Sequence, residues 1–296
     1  MEKFLRQVHS VLEFCLPRTP LFDRFCAWVL FIITQHRMPR PKRLYFNDQL
    51  YRIKSTDAIM EPLRQFVSDK EYLRMYVAHK VGDEFNVPYH AILRSPAEVD
   101  AYDFPAECCV KPTHASGRYI LRRHGEPIDR EEIKRWFSVN RYRTSREANY
   151  RYLEPKIIVE PLIAGRTDND EFKVFCYRGK PRLIQAVYRR REGAGRELAG
   201  VSYLDAAWNR LPVRTQSDPG APPARPANLD SMLEAAARLS EGFDFIRIDF
   251  YSDGNFCLVG EITNCHNNAT TRFRFTDPAR AGEDAEAFVS RLIFSE

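Results

Sequence analysis

The chain alternates between segments with the apolar spacing of a helix and segments with the apolar and polar alternation of a strand. Helical spacing predicts helices over 59–81, over most of 129–153 and from Asn228 to about Glu241. The predicted strands are 87–93, 107–111, 119–123, 156–163, 172–177, 182–188 and the two strands of a hairpin from 247 to 263. Helices and strands mixed in this way, without an internal repeat, indicate an α+β protein of several lobes.

The last predicted hairpin carries charged residues on one face. Its first strand begins Arg247-Ile248-Asp249-Phe250, its turn is Ser-Asp-Gly-Asn at 252–255, and its second strand reaches Glu261. Because side chains two apart on a strand share a face, Arg247 and Asp249 point together, and the returning strand brings Glu261 near them. One or two carboxylates plus substrate phosphates are the usual ligands of Mg²⁺. The hairpin is therefore either a nucleotide-metal site or a surface hairpin with a salt bridge.

The N-terminal region is apolar and basic. Apolar residues over 4–16 have the spacing of an amphipathic helix, and the run 27–34 (AWVLFIIT) predicts a buried helix far too short to span a bilayer. Acidic residues before that run do not fit a simple signal peptide. Residues 37–43 (RMPRPKR) are basic and broken by prolines. The region is therefore either a peripheral membrane contact or a solvated linker.

Composition narrows the class of protein. A chain of 296 residues that is 44% hydrophobic can bury a substantial globular core. Its net charge of +5 suits an anionic substrate or a membrane surface, and without any RNA- or DNA-binding signature we expect no nucleic acid partner. The seven cysteines, an odd number mostly in apolar contexts and without zinc spacing, predict reduced thiols and a cytoplasmic location.

Other charged residues stand at the ends of predicted elements. Lys111 ends a buried strand and is followed by the small-residue loop Thr113–Gly117, whose backbone amides can close over phosphate oxygens. Singly, each such residue is also what a solvated helix start or a strand end carries. The others are Lys70 at a helix start, Glu160 at the end of an apolar strand, and Glu171 and Lys173 on one face of the next strand.

In chain order, five segments resemble motifs of the ATP-grasp superfamily, and most closely those of the TupA-like ATP-grasp group, named after a teichuronopeptide biosynthesis protein. The resemblance runs from about Tyr45 to about Phe275 and depends on the order of the motifs. It implies an α+β ATP-grasp fold in which two α+β lobes hold ATP, with a helical N-terminal extension. The segments are SDKEYLRMYVAHKVGDEFNVPYHAIL at 68–93, VKPTHASG at 110–117, IIVEPLI at 157–163, EFKVFCYRGKP at 171–181 and RIDFYSDGNFCLVGEIT at 247–263.

The resemblance implies nucleotide-binding roles for the matching residues. Lys70 and Lys111 match the two lysines that hold the phosphates, and Ser116 and Gly117 belong to the loop that covers them. Glu160 matches the acidic hinge residue before the adenine-binding backbone. The remaining implied contacts are Leu162 or Ile163 to adenine, because Pro161 has no N–H group, and Glu171 to the ribose hydroxyls.

The resemblance also implies the metal ligands and the catalytic groups. Asp249 and Glu261 match the Mg²⁺ ligands, Arg247 matches the group that steadies phosphate or a developing oxyanion, and Lys173 lies on the adjoining strand. The sequence departs from the pattern at the third ligand, because the asparagine expected two positions after the glutamate is Thr263. Asn264 would reach the metal only if a bulge turned its side chain to the other face.

The segment Cys265-His266-Asn267-Asn268 replaces the usual loop with proline and glycine. This change can alter the acceptor end of the pocket. His266 and Asn267 then either contact substrate or satisfy backbone groups in a turn, and we favour the turn.

The implied activity is ATP- and Mg²⁺-dependent ligation of a carboxylate to an amine through an acyl phosphate, without a nucleophile from the protein. The implied substrates are a small-molecule or glycan carboxylate and an amino acid, in surface-glycan or natural-product synthesis, with any membrane contact at the inner face. The alternatives are a kinase acting on an alcohol or phosphate, and a non-catalytic nucleotide-binding scaffold. The expected domains are 1–45, a helical extension; 46–105, an α/β lobe; 106–163, the small lobe; and 164–296, the large lobe with the metal site.

Overall fold

The structure is a computed structural model that describes residues 2–163, 170–192, 196–215 and 224–295. The chain divides into two compact units. Unit 1 comprises Met1–Ala58 and Thr167–Glu296, and unit 2 comprises Ile59–Arg166. Each unit combines helices with an antiparallel sheet, which confirms the predicted α+β class.

Helices and strands are mixed along the whole described chain. The helices are α1 (Glu2–Cys15), α2 (Pro20–Gln35), α3 (Phe46–Ser55), α4 (Pro62–Phe66), α5 (Lys70–Lys80), α6 (Pro96–Ala101), α7 (Arg130–Arg135), α8 (Arg141–Ser145), α9 (Leu229–Leu239) and α10 (Ala285–Phe294). The strands are β1 (Ala91–Leu93), β2 (Cys108–Pro112), β3 (Ile120–Arg122), β4 (Ile157–Glu160), β5 (Asp170–Tyr177), β6 (Lys180–Glu192), β7 (Arg196–Asp205), β8 (Val213–Arg214), β9 (Phe245–Ser252), β10 (Cys257–Thr263) and β11 (Arg274–Phe275).

Unit 2 is built on a four-stranded antiparallel sheet in the order β1-β4-β2-β3. Alternate residues of its central strands enter one core with helix residues such as Val99 and Ile133. The remaining strand residues, Lys111 and Glu160 among them, therefore point to the opposite face. Both central strands are buried throughout, so these two charged side chains are buried as well.

Unit 1 is built on a five-stranded antiparallel sheet in the order β10-β9-β5-β6-β7. One face packs against α9, where the thiol of Cys176 on β5 donates to the carbonyl of Ala236 at 3.7 Å. Apolar residues recur along α9 at the spacing of one helix face, so the helix covers this face of the sheet with apolar side chains. The opposite face of the sheet carries the charged residues of the candidate site.

The N-terminal helices belong to unit 1. The ring of Phe31 on α2 meets that of Tyr51 on α3, with ring centroids 5.3 Å apart. Phe46 at the start of α3 packs edge-on against the sheet residues Phe175 and Phe245. The segment expected to be an extension is thus in part a layer of the unit 1 core.

Several predicted helices are shorter than the sequence pattern indicates. The predicted helix 59–81 is interrupted because Asp69 caps α5, its carboxylate accepting hydrogen bonds from the N–H groups of Glu71 and Tyr72. The region 129–153 contains the short helices α7 and α8 with 3₁₀ turns between and after them, instead of one long helix. The pattern did not predict α3 and α10.

The predicted strands differ from the observed strands mainly in where they begin and end. The strand predicted at 87–93 pairs only from Ala91, and the one predicted at 156–163 ends at Glu160, before Pro161, which has no N–H group to donate. Strand β6 is longer than predicted, and β7 was not predicted. Most of the predicted loop 214–226 lies outside the described residues.

The expected domain boundaries do not follow the two units. A division at residue 105 would separate β1 from β4, although Ala91 pairs with Val159 in one sheet. A division at residue 45 would separate α2 from α3 within unit 1. Among the described residues, no helix combines the length and the apolarity needed to cross a membrane.

Candidate functional site

Asp249 is the centre of the charged face of unit 1. Arg247, two residues earlier on β9, binds it with a fork of two hydrogen bonds, from Nε to Oδ1 at 2.6 Å and from Nη2 to Oδ2 at 2.7 Å. Lys173 is the register partner of Asp249 on β5, and its ammonium donates to Asp249 Oδ2 at 3.1 Å and to Glu171 Oε1 at 2.6 Å. The sheet thus brings together four of the residues predicted to act at one site.

Electrostatic attraction keeps this buried cluster charged. Burial by itself would raise the pKa of Asp249, but the charges of Arg247 and Lys173 outweigh burial and lower it. Burial would lower the pKa of Lys173, but Asp249, aided by Glu171, outweighs burial and raises it. The carboxylate and both cations are therefore ionised at neutral pH.

A β-bulge places Glu261 beside Asp249. Between Val259 and Glu261 the pairing of β10 with β9 shifts by one residue, so that Glu261 stands opposite Asp249. With a regular register it would stand opposite Ile248 and point to the other face. Gly260 lies at the bulge, and its lack of a side chain leaves room for the ring of Tyr251, which a Cβ atom would approach to 2.5 Å.

The position after Glu261 settles where Thr263 lies. Pairing is regular from Glu261 to Thr263, and Thr263 Oγ1 accepts a hydrogen bond from Arg247 Nη2 at 2.9 Å. The bulge of this strand therefore lies before Glu261. A role for Asn264 at the metal would need a second irregularity after Thr263. Asn264 is buried just beyond the strand end, and its role as a third metal ligand stays a prediction.

The loop that follows places His266 against Arg247. Nδ1 of its buried ring accepts a hydrogen bond from Arg247 Nη1. Burial, and then the charge of Arg247, hold the pKa of His266 well below its ordinary value, so the ring is neutral and able to accept. The favoured interpretation, a histidine that satisfies the turn backbone, is therefore wrong for its Nδ1 atom, which serves Arg247.

The backbone of this loop explains its sequence. Asn267, Asn268 and Ala269 have φ angles of 48°, 54° and 59°, in the left-handed region. Asparagine enters that region more readily than other non-glycine residues. Lys54 on α3 holds the turn by donating to Asn268 Oδ1 at 2.8 Å. The pair of asparagines thus replaces glycine as the means of turning the chain.

In unit 2, the two predicted phosphate-binding lysines contact groups from the same sheet and loop. Lys111 forms a buried ion pair with Glu160 on the adjacent strand, with Nζ and Oε2 2.8 Å apart. Lys70 donates to the carbonyl of Ala115 at 2.6 Å, which brings it to the predicted phosphate loop. Within that loop Ser116 is half-buried and Gly117 is exposed with a φ of 75°, a conformation that favours glycine.

Lys156 joins the helix that begins with Lys70 to this loop. Its ammonium lies 2.6 Å from Glu71 Oε2, 3.3 Å from Asp69 Oδ2 and 4.1 Å from the ring centroid of Tyr72. Asp69 in turn accepts from Thr113 Oγ1 at 2.9 Å. The backbone N–H of Thr113 donates to the carbonyl of Lys156, and that of Lys70 to the carbonyl of Thr113. We call Asp69, Thr113 and Lys156 the clamp.

The two carboxylates of unit 1 fit a magnesium ion. In the part of the chain that the structure describes, no group of three or more His, Cys, Asp and Glu side chains is placed to hold a metal. Asp249 and Glu261 stand opposite each other on one face of adjacent strands. Two carboxylates that leave the other positions to substrate phosphates and water are the usual protein contribution for Mg²⁺. The two carboxylates therefore suit Mg²⁺, and they do not suit a metal ion that takes all its ligands from the protein.

The hinge segment follows directly on β4. Glu160 is the last residue of that strand, Leu162 is half-buried and Ile163 is buried. Its predicted contacts with adenine and those of Glu171 with ribose stay predictions.

Sequence reasoning missed polar residues that adjoin the site. Gln185 on β6 is the register partner of Lys173, and its buried Oε1 has no hydrogen bond among the described residues. Tyr203 on β7 pairs with Gln185, and burial raises the pKa of its phenol to about 12. A glutamine inside the apolar run Leu183-Ile184-Gln185-Ala186 was the available signal, and Lys156 before β4 offered a similar one.

Comparison with known proteins identifies the class and then the family. The model of the family described as TupA-like ATP-grasp matches residues 49–279. Such a match covers most of the chain, which therefore has an ATP-grasp fold with a helical N-terminal region. The chain belongs to the TupA-like ATP-grasp family, and the resemblance seen in the sequence is confirmed. No curated protein matches the chain significantly.

Solved structures similar to this chain are distant ATP-grasp proteins. The ligase PsnB in complex with its minimal precursor is 14% identical, with 78% of this chain and 61% of that chain covered and a TM-score of 0.40. D-alanine–D-alanine ligase from Bacillus anthracis is 14% identical, with 78% and 67% covered and a TM-score of 0.41. A RimK domain ATP-grasp protein from Sphaerobacter thermophilus is 12% identical, with 79% and 69% covered and a TM-score of 0.40. The chain thus spans about 60 to 70% of their length.

Proposed function

We propose that the protein is an ATP- and Mg²⁺-dependent ligase that joins a carboxylate to an amine and releases ADP and phosphate. Membership of the TupA-like ATP-grasp family supports the use of ATP. The observation that carries the proposal is the ionised cluster of Arg247, Asp249 and Lys173, with Glu261 turned toward it by a bulge. Buried charges whose pKa values are shifted by specific partners are concentrated at functional sites.

The proposed roles follow from the charges of the side chains. Asp249 and Glu261 hold Mg²⁺, with Asn264 as the proposed third ligand, and the ion would neutralise the charge of the transferred phosphoryl group. Lys70 and Lys111 bind phosphate oxygens, and the backbone of Ser116 and Gly117 closes over them. Glu160, Leu162, Ile163 and Glu171 position the adenosine.

Arg247 and Lys173 act on the reacting carboxylate. Transfer of the γ-phosphoryl group to the carboxylate gives an acyl phosphate, and attack by the amine then expels phosphate and leaves an amide. Arg247 is fixed by Asp249, Thr263 and His266, so its guanidinium is oriented before charge develops on the substrate oxygen. The chain supplies no nucleophile in this scheme, only orientation and charge.

For the substrates we propose an amino acid as the amine and a glycan or natural-product carboxylate as its partner. Such a reaction needs ATP, and the cysteines among the described residues are all free thiols. Both features support the proposal that the protein works in the cytoplasm.

The proposal is tested by ³¹P NMR of the protein with Mg-ATP, pooled amino acids and uronic acids. We expect ADP and inorganic phosphate only when a carboxylate and an amine are both present. A new phosphoester signal would instead identify a kinase. Nucleotide binding in calorimetry without turnover would instead indicate the non-catalytic nucleotide-binding scaffold, and absence of nucleotide binding would reject the proposal.

Two variants connect the turnover to the proposed metal site. Asp249→Asn and Glu261→Gln keep the shape of each side chain and remove its charge, so we expect both to lose ADP release by about 100-fold or more. Asp230→Asn is the control, because this exposed carboxylate on α9 pairs only with exposed Arg225 among the described residues. Wild-type rates in both site variants would show that the metal assignment is wrong.

A further inference from the structure

The N-terminal helices expose large apolar side chains. Thirteen large hydrophobic residues are exposed among those that the structure describes, and eight of them lie within residues 4–44. Phe4 is 65% exposed and Phe14 is 76% exposed. Single exposed apolar residues are ordinary, but a concentration of this kind marks a contact surface.

The exposed residues of α1 form a continuous stripe. Phe4, Val8 and Val11 recur at the spacing of one helix face, and Phe14 extends this face by one more turn. The buried side chain of His9 lies on another face and contacts the carbonyl of Cys26 on α2 at 2.9 Å. Helix α1 thus packs on α2 with only part of its apolar surface and leaves the rest open. We call Phe4, Val8, Val11 and Phe14 the open stripe.

Exposed apolar residues also occur on α2 and in the loop that follows it. A short turn at 16–19 joins α1 and α2, so the two helices run antiparallel. Leu21 and Phe25 near the start of α2 are exposed, and so are Met38 and Leu44 in the loop that leaves its other end. The start of α1 lies at that same end, because the helices are antiparallel and of similar length.

The same segment carries the positive charge of the protein. Residues 1–44 contain eight lysines and arginines and three acidic residues, an excess of five, which equals the net charge of +5 of the whole chain. The other 252 residues are therefore neutral overall. Arg40 and Lys42 are exposed beside Met38 and Leu44 and form no ion pair among the described residues. Arg37 instead forms an ion pair with Asp48, and Arg43 stacks on the ring of Tyr45.

We propose that the open stripe and the basic loop at 38–44 bind the surface of an anionic lipid bilayer. An apolar helix face combined with positive charge supplies the two signals that stable peripheral binding needs. The charge selects this ligand over a second copy of the chain, because a symmetric pair of these surfaces would bring two segments of like charge together.

The test is flotation of the full-length protein with vesicles. We expect binding to vesicles of equal parts phosphatidylglycerol and phosphatidylcholine, and little binding to phosphatidylcholine alone. The substitutions Phe4→Ser, Val11→Ser and Phe14→Ser made together should lower the bound fraction by about tenfold or more. Arg40→Gln with Lys42→Gln should weaken binding and reduce its sensitivity to salt.

The matched control is Met75→Ser with Tyr152→Ser, which removes two exposed apolar side chains of unit 2. This variant should bind vesicles like the wild type, and thermal melting checks that every variant is folded. Absence of wild-type binding to the anionic vesicles would overturn the proposal. A folded triple variant that binds the anionic vesicles like the wild type would overturn it as well. So would a triple variant whose only change is the loss of a dimer that light scattering detects in the wild type.

Discussion

Asp249 has a structural duty as well as its proposed role with the metal. It is the shared partner of two cations, Arg247 and Lys173, that burial would otherwise disfavour. Removing its charge leaves those two cations facing each other. Glu261 lies at the neighbouring position, and the structure gives it no ion pair with either cation.

We therefore expect the two acidic variants to differ in stability. Asp249→Asn should lower the free energy of unfolding by about 3 kcal/mol, because it breaks a buried charge cluster. Glu261→Gln should change it by less than about 1 kcal/mol, as removal of a weakly paired charge does. Urea unfolding of both variants measures the difference. Equal losses would mean that Glu261 also belongs to the buried cluster.

His266 shows how a neutral side chain can hold a charged one. Its Nδ1 atom accepts from Arg247, and rings of Phe46 and Phe175 surround it. We expect His266→Phe to keep the packing but leave Arg247 Nη1 without this partner, at a cost of about 1 to 3 kcal/mol. His266→Gln keeps an acceptor and should recover part of the loss. A phenylalanine variant with wild-type stability and turnover would contradict this role.

His114 should make stability depend on pH. Burial lowers its pKa, and its Nδ1 atom accepts from the backbone N–H of Lys156 while its Nε2 atom contacts the carbonyl of Trp136. Lys70 also disfavours its protonation, whereas Asp69 favours it. The unfolded chain therefore binds a proton near the ordinary histidine pKa of about 6.5 while the folded chain does not, so stability should fall as pH decreases through that value.

The histidine contribution is separable by substitution. His114→Asn should flatten the decrease in melting temperature between about pH 7.5 and 5, apart from the part that His266 contributes. Thermal melts of the wild type and the variant across that range measure it. Parallel curves for the two proteins would exclude His114 as a source of the dependence.

At the scale of elements, the clamp fixes helix α5 to the predicted phosphate loop. Lys156 neutralises Asp69 and Glu71, the residues on either side of Lys70. Burial alone would lower the pKa of Lys156, but Glu71 and Asp69 outweigh burial and raise it. Without Lys156, Glu71 would keep its ion pair with Arg94, but the buried Asp69 would lose its cation and the order of the helix start that carries Lys70 would suffer.

We therefore expect Lys156→Met to weaken ATP binding as well as to destabilise the fold, because it leaves the buried Asp69 without its cation. Isothermal calorimetry with Mg-ATP should show an affinity about 10- to 100-fold lower, as misplaced binding groups typically cause. Thr113→Val breaks the clamp without leaving a buried charge unpaired and should have a smaller effect in the same direction. Lys134→Met is the control, since its partners Asp100 and Glu131 are exposed. Unchanged affinity in both clamp variants would show that the clamp is only structural.

The elements also show what a sequence pattern can and cannot predict. The charged hairpin was predictable because alternation along β9 fixes which residues share a face. The bulge at Gly260 and the cap at Asp69 were not, because both depend on a local backbone choice that leaves the apolar pattern unchanged. Pairing of β1 with β4 joins residues more than sixty positions apart, and periodicity carries no information about such partners.

At the scale of the whole molecule, the N-terminal segment has two different relations to unit 1. Helix α1 contacts α2, whereas α2 forms hydrogen bonds with residues 269–272, far away in the sequence. Gln35 donates to the carbonyls of Ala269 and Thr271 at 3.3 and 3.4 Å, and Arg272 donates to the carbonyl of Thr34. Arg37 bridges Asp48 and Glu286.

Two truncations should separate these relations. Removal of residues 2–17 deletes α1, exposes part of α2 and should leave the unit 1 core folded, while vesicle binding is lost. Removal of residues 2–36 also deletes Phe31, Thr34 and Gln35, and with them hydrogen bonds and apolar contacts of the core, so we expect a loss of at least about 4 kcal/mol and aggregation. Calorimetric melts of both truncations measure this. A stable, monomeric 2–36 deletion would show that the N-terminal region is a true extension, because the core of unit 1 would then close without α2.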